Sequence, residues 1–194
     1  MIHTLRRLAA VRACAAACLS LGACEPAGKA VGDTQESEPD VAHVGEIRSD
    51  VTVGLIGAPQ DDDGTDALVL DALDAAGLHT VYVSTGQVRD PVTAAQQGVE
   101  DLVRRRVSIV VIDGLQVSGD TAGSWDKALK GARVAGIPVA LLDPASPPSD
   151  DTLYAAALTL DANDASAVPI DGALMTIIDD DPHGRAIAVT ASAD

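Results

Sequence analysis

The sequence predicts an α/β protein with a doubly wound, mostly parallel sheet, and its central segment provides the strongest evidence. Residues 107–113 (VSIVVID) and 137–143 (IPVALLD) are short, almost wholly apolar runs rich in β-branched side chains. Such runs are typical of strands buried on both faces of a parallel sheet. Between them, apolar residues recur at helical spacings of three and four: Trp125, Ala128, Leu129 and Ala132. A strand, a helix and a strand of this length form a βαβ unit with a right-handed crossover.

The same alternation begins at residue 51 and continues through the chain. Further strand patterns cover residues 51–57, 79–84, 153–160 and 185–191. The first helix pattern, over residues 66–76, has one apolar face and a glycine after its end: Val69, Leu70, Leu73, Ala76 and Gly77. The second helix begins at Asp90-Pro91, because aspartate is a favoured N-cap and proline fits the first turn. Residues 163–178 are weakly helical, and Pro169 and Gly172 are expected to interrupt them.

Successive βα units of this kind predict a flavodoxin-like strand order. In that order the loop of residues 57–66 lies at the topological switch point, beside Asp113 and Asp143, which end two of the predicted strands. Ligands of open α/β sheets bind at this edge, where the carboxyl ends of the strands meet. The fold class therefore also predicts where a ligand site would lie.

Residues 1–23 have the pattern of a targeting segment, with a positively charged start and an apolar run that is too short to span a bilayer as a helix. The run ends in Leu21-Gly22-Ala23-Cys24, which resembles the lipobox of bacterial lipoproteins. That resemblance implies cleavage before Cys24, lipidation of its thiol, and attachment to the extracytoplasmic face of the cell membrane. An ordinary signal peptide with an incidental cysteine is the alternative.

Composition limits the partners and the chemistry. The formal net charge is −16, which disfavours nucleic acids and anionic membrane surfaces as partners. All three cysteines lie at or before residue 24, so the domain has no disulfide or cysteine metal site. Residues 24–50 lack periodicity and are rich in Glu, Pro, Gly, Ser and Asp, which predicts a flexible tether. No nucleophile elbow, phosphate loop, dinucleotide fingerprint or zinc-binding helix signature occurs, so we predict a protein without enzymatic activity or cofactor.

The ordered segments VTVGLIGAP, VSIVVIDG, SWDKALKGARVAGIPVALLD and LYAAALTLDAND resemble type I periplasmic binding proteins, the ribose- and galactose-type receptors of sugar ABC importers. The resemblance covers residues 51–194 and matches the first half of such a two-lobed receptor. It implies a single α/β lobe over residues 51–161 and a remnant of the crossover into a second lobe over residues 162–194. It also implies a sugar ligand and ABC permease subunits as partners. One departure is Pro144, which stands where the family commonly has an arginine.

Five polar side chains at the carboxyl ends of predicted strands are the candidate ligand-binding residues: Gln60, Asp61, Asp113, Asp143 and Asp161. The resemblance implies that such side chains bind sugar hydroxyls, whereas solvated loop acids without a ligand are the alternative. The run Asp61-Asp62-Asp63 offers oxygen ligands for a divalent cation but lacks the spaced pattern of a calcium loop, so no metal site is predicted. Trp125 could stack on a sugar ring, although its position on an amphipathic helix favours core packing.

Together these patterns predict a membrane-anchored, extracytoplasmic solute-binding protein of a sugar ABC importer, which binds a small carbohydrate at the carboxyl ends of the strands. Two alternatives stay open. A degenerate single-lobe interaction module without a sugar site would contact a partner through the surface that a second lobe would cover, which would be an exposed apolar patch. A receiver-like phospho-acceptor would share the strand order and the clustered acids, but the fifth strand offers no lysine.

Overall fold

The computed structural model describes residues 45–58 and 64–191. The predicted targeting segment, the predicted lipidation site Cys24 and most of the predicted tether lie outside the described residues, as do the candidate site residues Gln60 and Asp61. Within the described ranges, no helix combines the length and the apolar character that crossing a bilayer requires.

The fold is built on one sheet of seven parallel strands in the order β2-β1-β3-β4-β5-β7-β6. The strands are β1 (Thr52–Ile56), β2 (His79–Val83), β3 (Ile109–Asp113), β4 (Val139–Leu142), β5 (Ala156–Leu160), β6 (Val168–Pro169) and β7 (Ala186–Thr190). The helices are α1 (Thr65–Ala75), α2 (Pro91–Arg105), α3 (Ala122–Val134) and α4 (Ile170–Ile178). The first five strands follow the flavodoxin-like order, so the predicted fold class and strand order are confirmed.

Helices cover both faces of the sheet and create two apolar cores. On one face, side chains of the strands pack with residues of α1 and α4 that include Val69, Leu73, Leu174 and Ile177. On the other face they pack with residues of α2 and α3 that include Val99, Leu102, Trp125 and Leu129. All side chains of β3 and β4 are buried, because these central strands have a helix layer on each side.

The helix termini explain two correct predictions and one wrong prediction. Asp90 caps α2 as predicted, since its Oδ1 accepts a hydrogen bond from the backbone N–H of Thr93 at 3.0 Å. Pro169 and Gly172 were expected to interrupt residues 163–178. The helix begins directly after Pro169, which agrees with this expectation, whereas Gly172 lies inside the helix, so the expectation was wrong for Gly172. Pro169 directly precedes the first residue of α4, where a missing backbone N–H leaves no helical hydrogen bond unmade. Gly172 lies in the first turn, and apolar burial of the following residues maintains the helix around it.

The last strand belongs to the same sheet as the first five strands, and the last helix packs against this sheet. The predicted division assigned residues 162–194 to a crossover into a second lobe. In the structure, β7 pairs in parallel with β5 along residues 186–189, and α4 contributes to the core beside α1. The division of the chain into targeting segment, tether and lobe stays a prediction.

Candidate ligand-binding site at the carboxyl ends of β1 and β3

A cavity of about 390 Å³ opens at the carboxyl edge of the sheet, between the ends of β1 and β3. Its lining comes from the two strand ends and the loops after them, from the loop after β2, and from the first turns of two helices: Ile56, Gly57, Ala58, Thr85, Pro91, Val92, Ala95, Ile112, Asp113, Gly114, Leu115, Gln116 and Trp125. The chain leaves β1 toward β2 and leaves β3 toward β4, on the opposite side. The cavity therefore lies at the topological switch point that the strand order predicts.

The loop after β3 is held over this cavity by the loop after β4. The backbone N–H of Val117 donates to the carbonyl of Ser146 at 2.9 Å, and the N–H of Ser146 donates to the carbonyl of Leu115 at 3.1 Å. Gly114 has φ of +61°, a left-handed conformation that turns the chain directly after the strand. The two hydrogen bonds of Ser146 form a short parallel bridge between Gln116 and Ser146, and this bridge fixes the rim of the cavity.

Asp113 is the candidate site residue that the structure places in the cavity lining. Its side chain is buried, with 5% of the residue exposed. Burial raises the pKa of Asp113 to about 7, and the nearby charges of Asp66 and Asp143 and a hydrogen bond with Asp66 add to this rise. The backbone N–H of Gly114 acts in the opposite direction. Asp113 is therefore a carboxyl group that changes its protonation near neutral pH.

The partner of Asp113 is Asp66, in the first turn of α1, which is also buried, with 4% exposed. Its Oδ2 accepts a hydrogen bond from the hydroxyl of Tyr82 at 2.7 Å. Its Oδ1 is buried and has no hydrogen-bond partner within residues 45–58 and 64–191. A protonated Asp113 can donate a hydrogen bond to Asp66.

Gly57 leaves room for the hydrogen-bonded side chains of Asp66 and Tyr82 because it has no side chain itself. A Cβ atom at this position would collide with Asp66 Oδ2 and would lie 2.5 Å from the hydroxyl oxygen of Tyr82. The Gly57 carbonyl accepts a hydrogen bond from Thr85 Oγ1 at 2.8 Å, and Thr85 is 1% exposed. The turn after β1 therefore lies directly against the Asp66–Tyr82 pair.

Trp125 lines the cavity while belonging to the core. It is 2% exposed and packs with the core of α2 and α3, so the prediction of core packing is confirmed. So little exposure leaves no ring face on which a sugar could stack. Its indole Nε1 is buried and has no hydrogen-bond partner in the described part of the chain. An indole N–H only donates, so this group needs an acceptor.

Asp143 and Asp161 have structural roles outside the cavity lining. Asp143 follows β4 with φ of +40°, is exposed, and its Oδ1 accepts the backbone N–H of Leu160 at 3.1 Å. Asp161 is exposed, and its Oδ1 accepts the backbone N–H of Asn163 at 2.8 Å in a local turn. Neither side chain lines the cavity with Asp113. Ligand binding by the candidate residues stays a prediction.

Sequence reasoning missed Asp66 and Tyr82. One signal pointed to Asp66, because it lies three residues before Val69 and so occupies the apolar face of the first helix pattern. Tyr82 is 41% exposed and acts through its hydroxyl group rather than through core packing. Its partner on α1 comes from a different element, and the pattern of its own strand does not indicate it.

The lining favours some ligands over others. Asp113 carries the one charge among the described lining residues, which include no lysine, arginine or histidine. The N-terminus of α2 is already occupied by the Asp90 carboxylate. In the described ranges, no three His, Cys, Asp or Glu side chains are grouped to hold a metal ion. These features favour neutral or cationic ligands over anionic ones.

No family model matches the chain, and no curated protein matches it in sequence. Several solved structures are similar to it. The periplasmic binding protein component of the arabinose ABC transporter from Shewanella sp. ANA-3, bound to α- and β-L-arabinofuranose, is 20% identical with a TM-score of 0.47, over 57% of this chain and 35% of that one. A galactofuranose-binding protein is 23% identical with a TM-score of 0.47, over 57% of this chain and 36% of that one.

A protein from Mycobacterium smegmatis in complex with β-D-fucofuranose is 19% identical, with a TM-score of 0.47, over 57% of this chain and 35% of that one. The chain spans about a third of the length of these three structures. The solved structures to which the chain is similar are type I periplasmic sugar-binding proteins.

Proposed function

We propose that this protein is an extracytoplasmic solute-binding protein of a sugar ABC importer, and that it binds a small carbohydrate in the cavity between β1 and β3. The observation that carries the proposal is this cavity at the switch point, with the buried carboxyl group of Asp113 in its lining. A lipid anchor at Cys24 would hold the protein at the outer face of the membrane, as the lipobox pattern implies. We expect permease subunits of the importer to be its protein partners.

The lining suits a molecule with hydroxyl groups on an apolar frame. Asp113 offers carboxyl oxygens and Gln116 an amide, and each can pair with a hydroxyl group. Ile56 and Ile112 provide apolar surface for carbon-bound hydrogens. A volume of about 390 Å³ lies in the usual range for small-molecule sites. Phosphorylated sugars and sugar acids are disfavoured because the described lining has no cation.

The experiment is a thermal-shift and calorimetric titration with D-ribose, L-arabinose, D-galactose and D-glucose. We expect saturable binding of at least one sugar, with a dissociation constant of about 1 mM, since the described lobe supplies one wall of a cleft. A sugar at ten times its dissociation constant would stabilise the folded protein by about 1.4 kcal/mol.

Two variants make this test specific. Asp113→Ala should abolish the shift, whereas Asp74→Asn removes one negative charge at an exposed position of α1 and should leave it intact. A folded protein that shows no saturable response to any of the four sugars would contradict the proposal. A shift that persists unchanged in Asp113→Ala would place the sugar elsewhere.

A single-lobe interaction module is the second candidate, and three exposed apolar residues favour it. Leu68, Tyr82 and Val88 are 52%, 41% and 42% exposed. They belong to the first turn of α1, the end of β2 and the loop after it, all at the carboxyl edge of the sheet. A module that uses this surface would give no sugar response, and Val88→Asp would weaken its partner contact.

A further inference from the structure

We propose that the outer edge of β7 is a docking site for an extended peptide segment of a partner protein, with small apolar side chains at its centre and lysine or arginine at its ends. Such a segment would pair with the backbone of β7 beside Ala186 and place alternate side chains in a cavity next to this edge. In the sheet, β4 and β5 separate β7 from β3. The inference therefore goes beyond the proposed function and does not depend on it.

The first observation is the open backbone along one side of β7. The carbonyl groups of Arg185 and Val189 accept backbone N–H groups from the β5 side at 2.8 and 2.9 Å. Because successive residues of a strand direct their backbone groups to opposite sides, the N–H and carbonyl groups of Ala186 point away from β5. Among residues 45–58 and 64–191, β6 is the one strand on that side, and it pairs only with the last two residues of β7.

The sequence of β7 does not protect this edge. Its residues, AIAVT, carry no charge, and Ala186 is exposed. Soluble proteins ordinarily protect an edge strand with charged side chains or proline, which prevent a further strand from pairing. Pro169 gives this protection to β6, but β6 covers only the end of β7. The first part of β7 is therefore able to accept another strand, which is a common mode of peptide recognition.

The second observation is an apolar cavity of about 420 Å³ beside the open edge. Val168 of β6, Gly172 and Thr176 of α4, and Gly184 and Ile187 contribute to its lining. The Ile187 side chain packs against the core of α1 and α4, so the cavity lies on the face of β7 that α4 covers. A strand added at the edge has alternate side chains on this face, and small β-branched residues suit a cavity of this size.

The third observation is the negative charge around this edge, which indicates the chemistry of the partner. Residues 161–184 contain no lysine or arginine and six aspartates: Asp161, Asp164, Asp171, Asp179, Asp180 and Asp181. Four of the six are exposed, two in the loop before β6 and two in the loop before β7. Because β6 adjoins the carboxyl end of β7, these two loops lie at opposite ends of the open edge.

The cations nearest in the chain do not neutralise these exposed acids. Arg48 pairs with Asp171 on α4, which is not among the four. The guanidinium group of Arg185 lies 4.9 Å from the centre of the Tyr154 ring, which packs on the face of the sheet that α2 and α3 cover. A segment with cationic ends is therefore attracted to both ends of the edge. A second copy of this chain would bring the same acids together and is disfavoured.

The test measures binding of fluorescein-labelled peptides by fluorescence polarisation. The probe is KKVTVTVKK, and EEVTVTVEE reverses its charge. A third peptide is KKVTVTVKK with N-methyl groups on its central Thr-Val-Thr, which keep the charge and prevent strand pairing. We expect KKVTVTVKK to bind with a Kd of about 0.1 mM at low salt. The other two peptides should bind at least about tenfold more weakly, and added salt should weaken the binding of KKVTVTVKK.

Two pairs of variants locate the peptide. Gly172→Leu fills the cavity, and Gly131→Leu is the matched control on α3, because a Cβ atom at either glycine meets no atom within 4 Å. We expect only Gly172→Leu to weaken binding, by about fivefold or more. The double substitution Asp180→Asn/Asp181→Asn should weaken binding by about threefold or more, whereas the same change at two exposed aspartates of α1, Asp71→Asn/Asp74→Asn, should change it less.

Backbone NMR shows whether the edge itself takes the peptide. We expect the amide of Ala186 to exchange rapidly in the free protein, and to shift and become protected with KKVTVTVKK. If Gly172→Leu does not fold, this measurement and the aspartate variants decide the question.

Three results would overturn the inference. The first is that KKVTVTVKK does not bind, or that its N-methylated form binds as tightly. The second is binding that leaves the Ala186 amide unchanged. The third is an Ala186 amide that is already protected in the free protein, because the edge would then be occupied by a second copy if sedimentation shows a dimer, or by another segment of this chain if it shows a monomer.

Discussion

The ends of β3 and β4 show how two similar sequences acquire different roles. Each strand is an apolar run with an aspartate at its carboxyl end: Asp113 closes β3 and Asp143 follows β4. Asp113 is buried at the cavity, and its pKa is raised to about 7. Asp143 is exposed, and its Oδ1 accepts the backbone N–H of Leu160. The first has the environment of a binding group, whereas the second holds the neighbouring strand.

The difference arises from the elements that surround each strand end. The helix after β1 brings Asp66 close to Asp113, and the hydrogen bond from the Ser146 N–H to the Leu115 carbonyl holds the loop after β3 at the cavity. At the end of β4, Asp143 itself takes the left-handed conformation, and its side chain reaches the backbone of β5. An acid at a strand end therefore becomes a candidate binding group only where other elements bury it beside another carboxyl group.

The largest effect should come from closing the space beside the buried acid pair. Gly57→Ala places a Cβ atom against Asp66 Oδ2 and 2.5 Å from the Tyr82 hydroxyl oxygen, so the turn after β1 or the start of α1 must shift. We expect a loss of about 3 kcal/mol or more in the free energy of unfolding, measured by urea denaturation.

The matched control for this substitution is Gly131→Ala. Gly131 is an exposed residue inside α3, and a Cβ atom there meets no atom within 4 Å. Alanine should stabilise α3 by up to about 1 kcal/mol, because it has the higher helix propensity. Equal losses from the two substitutions would mean that the close packing beside Gly57 has no energetic consequence.

The second largest effect should be a pH dependence of the unfolding free energy that arises from Asp113, at the end of β3. The folded pKa of Asp113 is about 7, above its unfolded value of 3.8. Between these two pH values the folded state therefore binds more protons than the unfolded state. Protonation of Asp113 stabilises the folded state fully below about pH 4, and this stabilisation is lost as the pH rises through 7. We expect Asp113→Asn to gain about 2 to 4 kcal/mol relative to wild type between pH 4 and pH 8.

Urea denaturation at pH 4, 6 and 8 measures this difference. Asp74→Asn is the control, because it removes the same charge from an exposed position and so corrects for general repulsion within an acidic protein. Parallel pH profiles for wild type and Asp113→Asn would show that Asp113 ionises normally.

The end of β4 should respond to loss of a hydrogen bond instead. Asp143→Ala removes the acceptor of the Leu160 N–H and places alanine at φ of +40°. We expect a loss of about 1 to 2 kcal/mol in the free energy of unfolding. Asp143→Asn keeps an acceptor oxygen and tolerates this conformation, so it should be nearly neutral for stability. The same asparagine should lower the pKa of Asp113, since it removes a nearby negative charge. A stable Asp143→Ala protein would argue against the strand-holding role.

Much of the fold could be predicted because its evidence is local. The apolar runs of β3 and β4, the Asp90-Pro91 start of α2 and the core face of α3 each follow from residues within one element. The order of the first five strands follows from the rule that governs successive βα units. Gly172 was wrongly expected to interrupt the last helix, because the apolar burial that maintains the helix around it comes from the core and not from the local pattern.

Of the site, only its position at the carboxyl edge of the sheet could be predicted. Placing Asp113, Asp143 and Asp161 at the carboxyl ends of strands needs no more than the strand order. The environment of Asp113 and of Asp143 depends on partners from distant segments, namely Asp66 on α1 and Leu160 at the end of β5. No pattern within one strand records such contacts, which is why three similar aspartates could not be told apart.

The smallest effect is expected at Asp161, which tests how far the site extends along this edge. Its Oδ1 accepts the N–H of Asn163 in an exposed turn after β5, and β4 lies between β5 and β3. Asp161→Ala should therefore cost about 0.5 to 1 kcal/mol of unfolding free energy. Its charge lies far from Asp113 and is screened by solvent, so the pKa of Asp113, followed by NMR of the side-chain carboxyl carbon, should not move. Asp143→Asn provides the positive control for the same measurement. If the two substitutions lowered the pKa of Asp113 equally, the acids of three strands would form one electrostatic site, and the distinction between the ends of β3 and β4 would be one of degree.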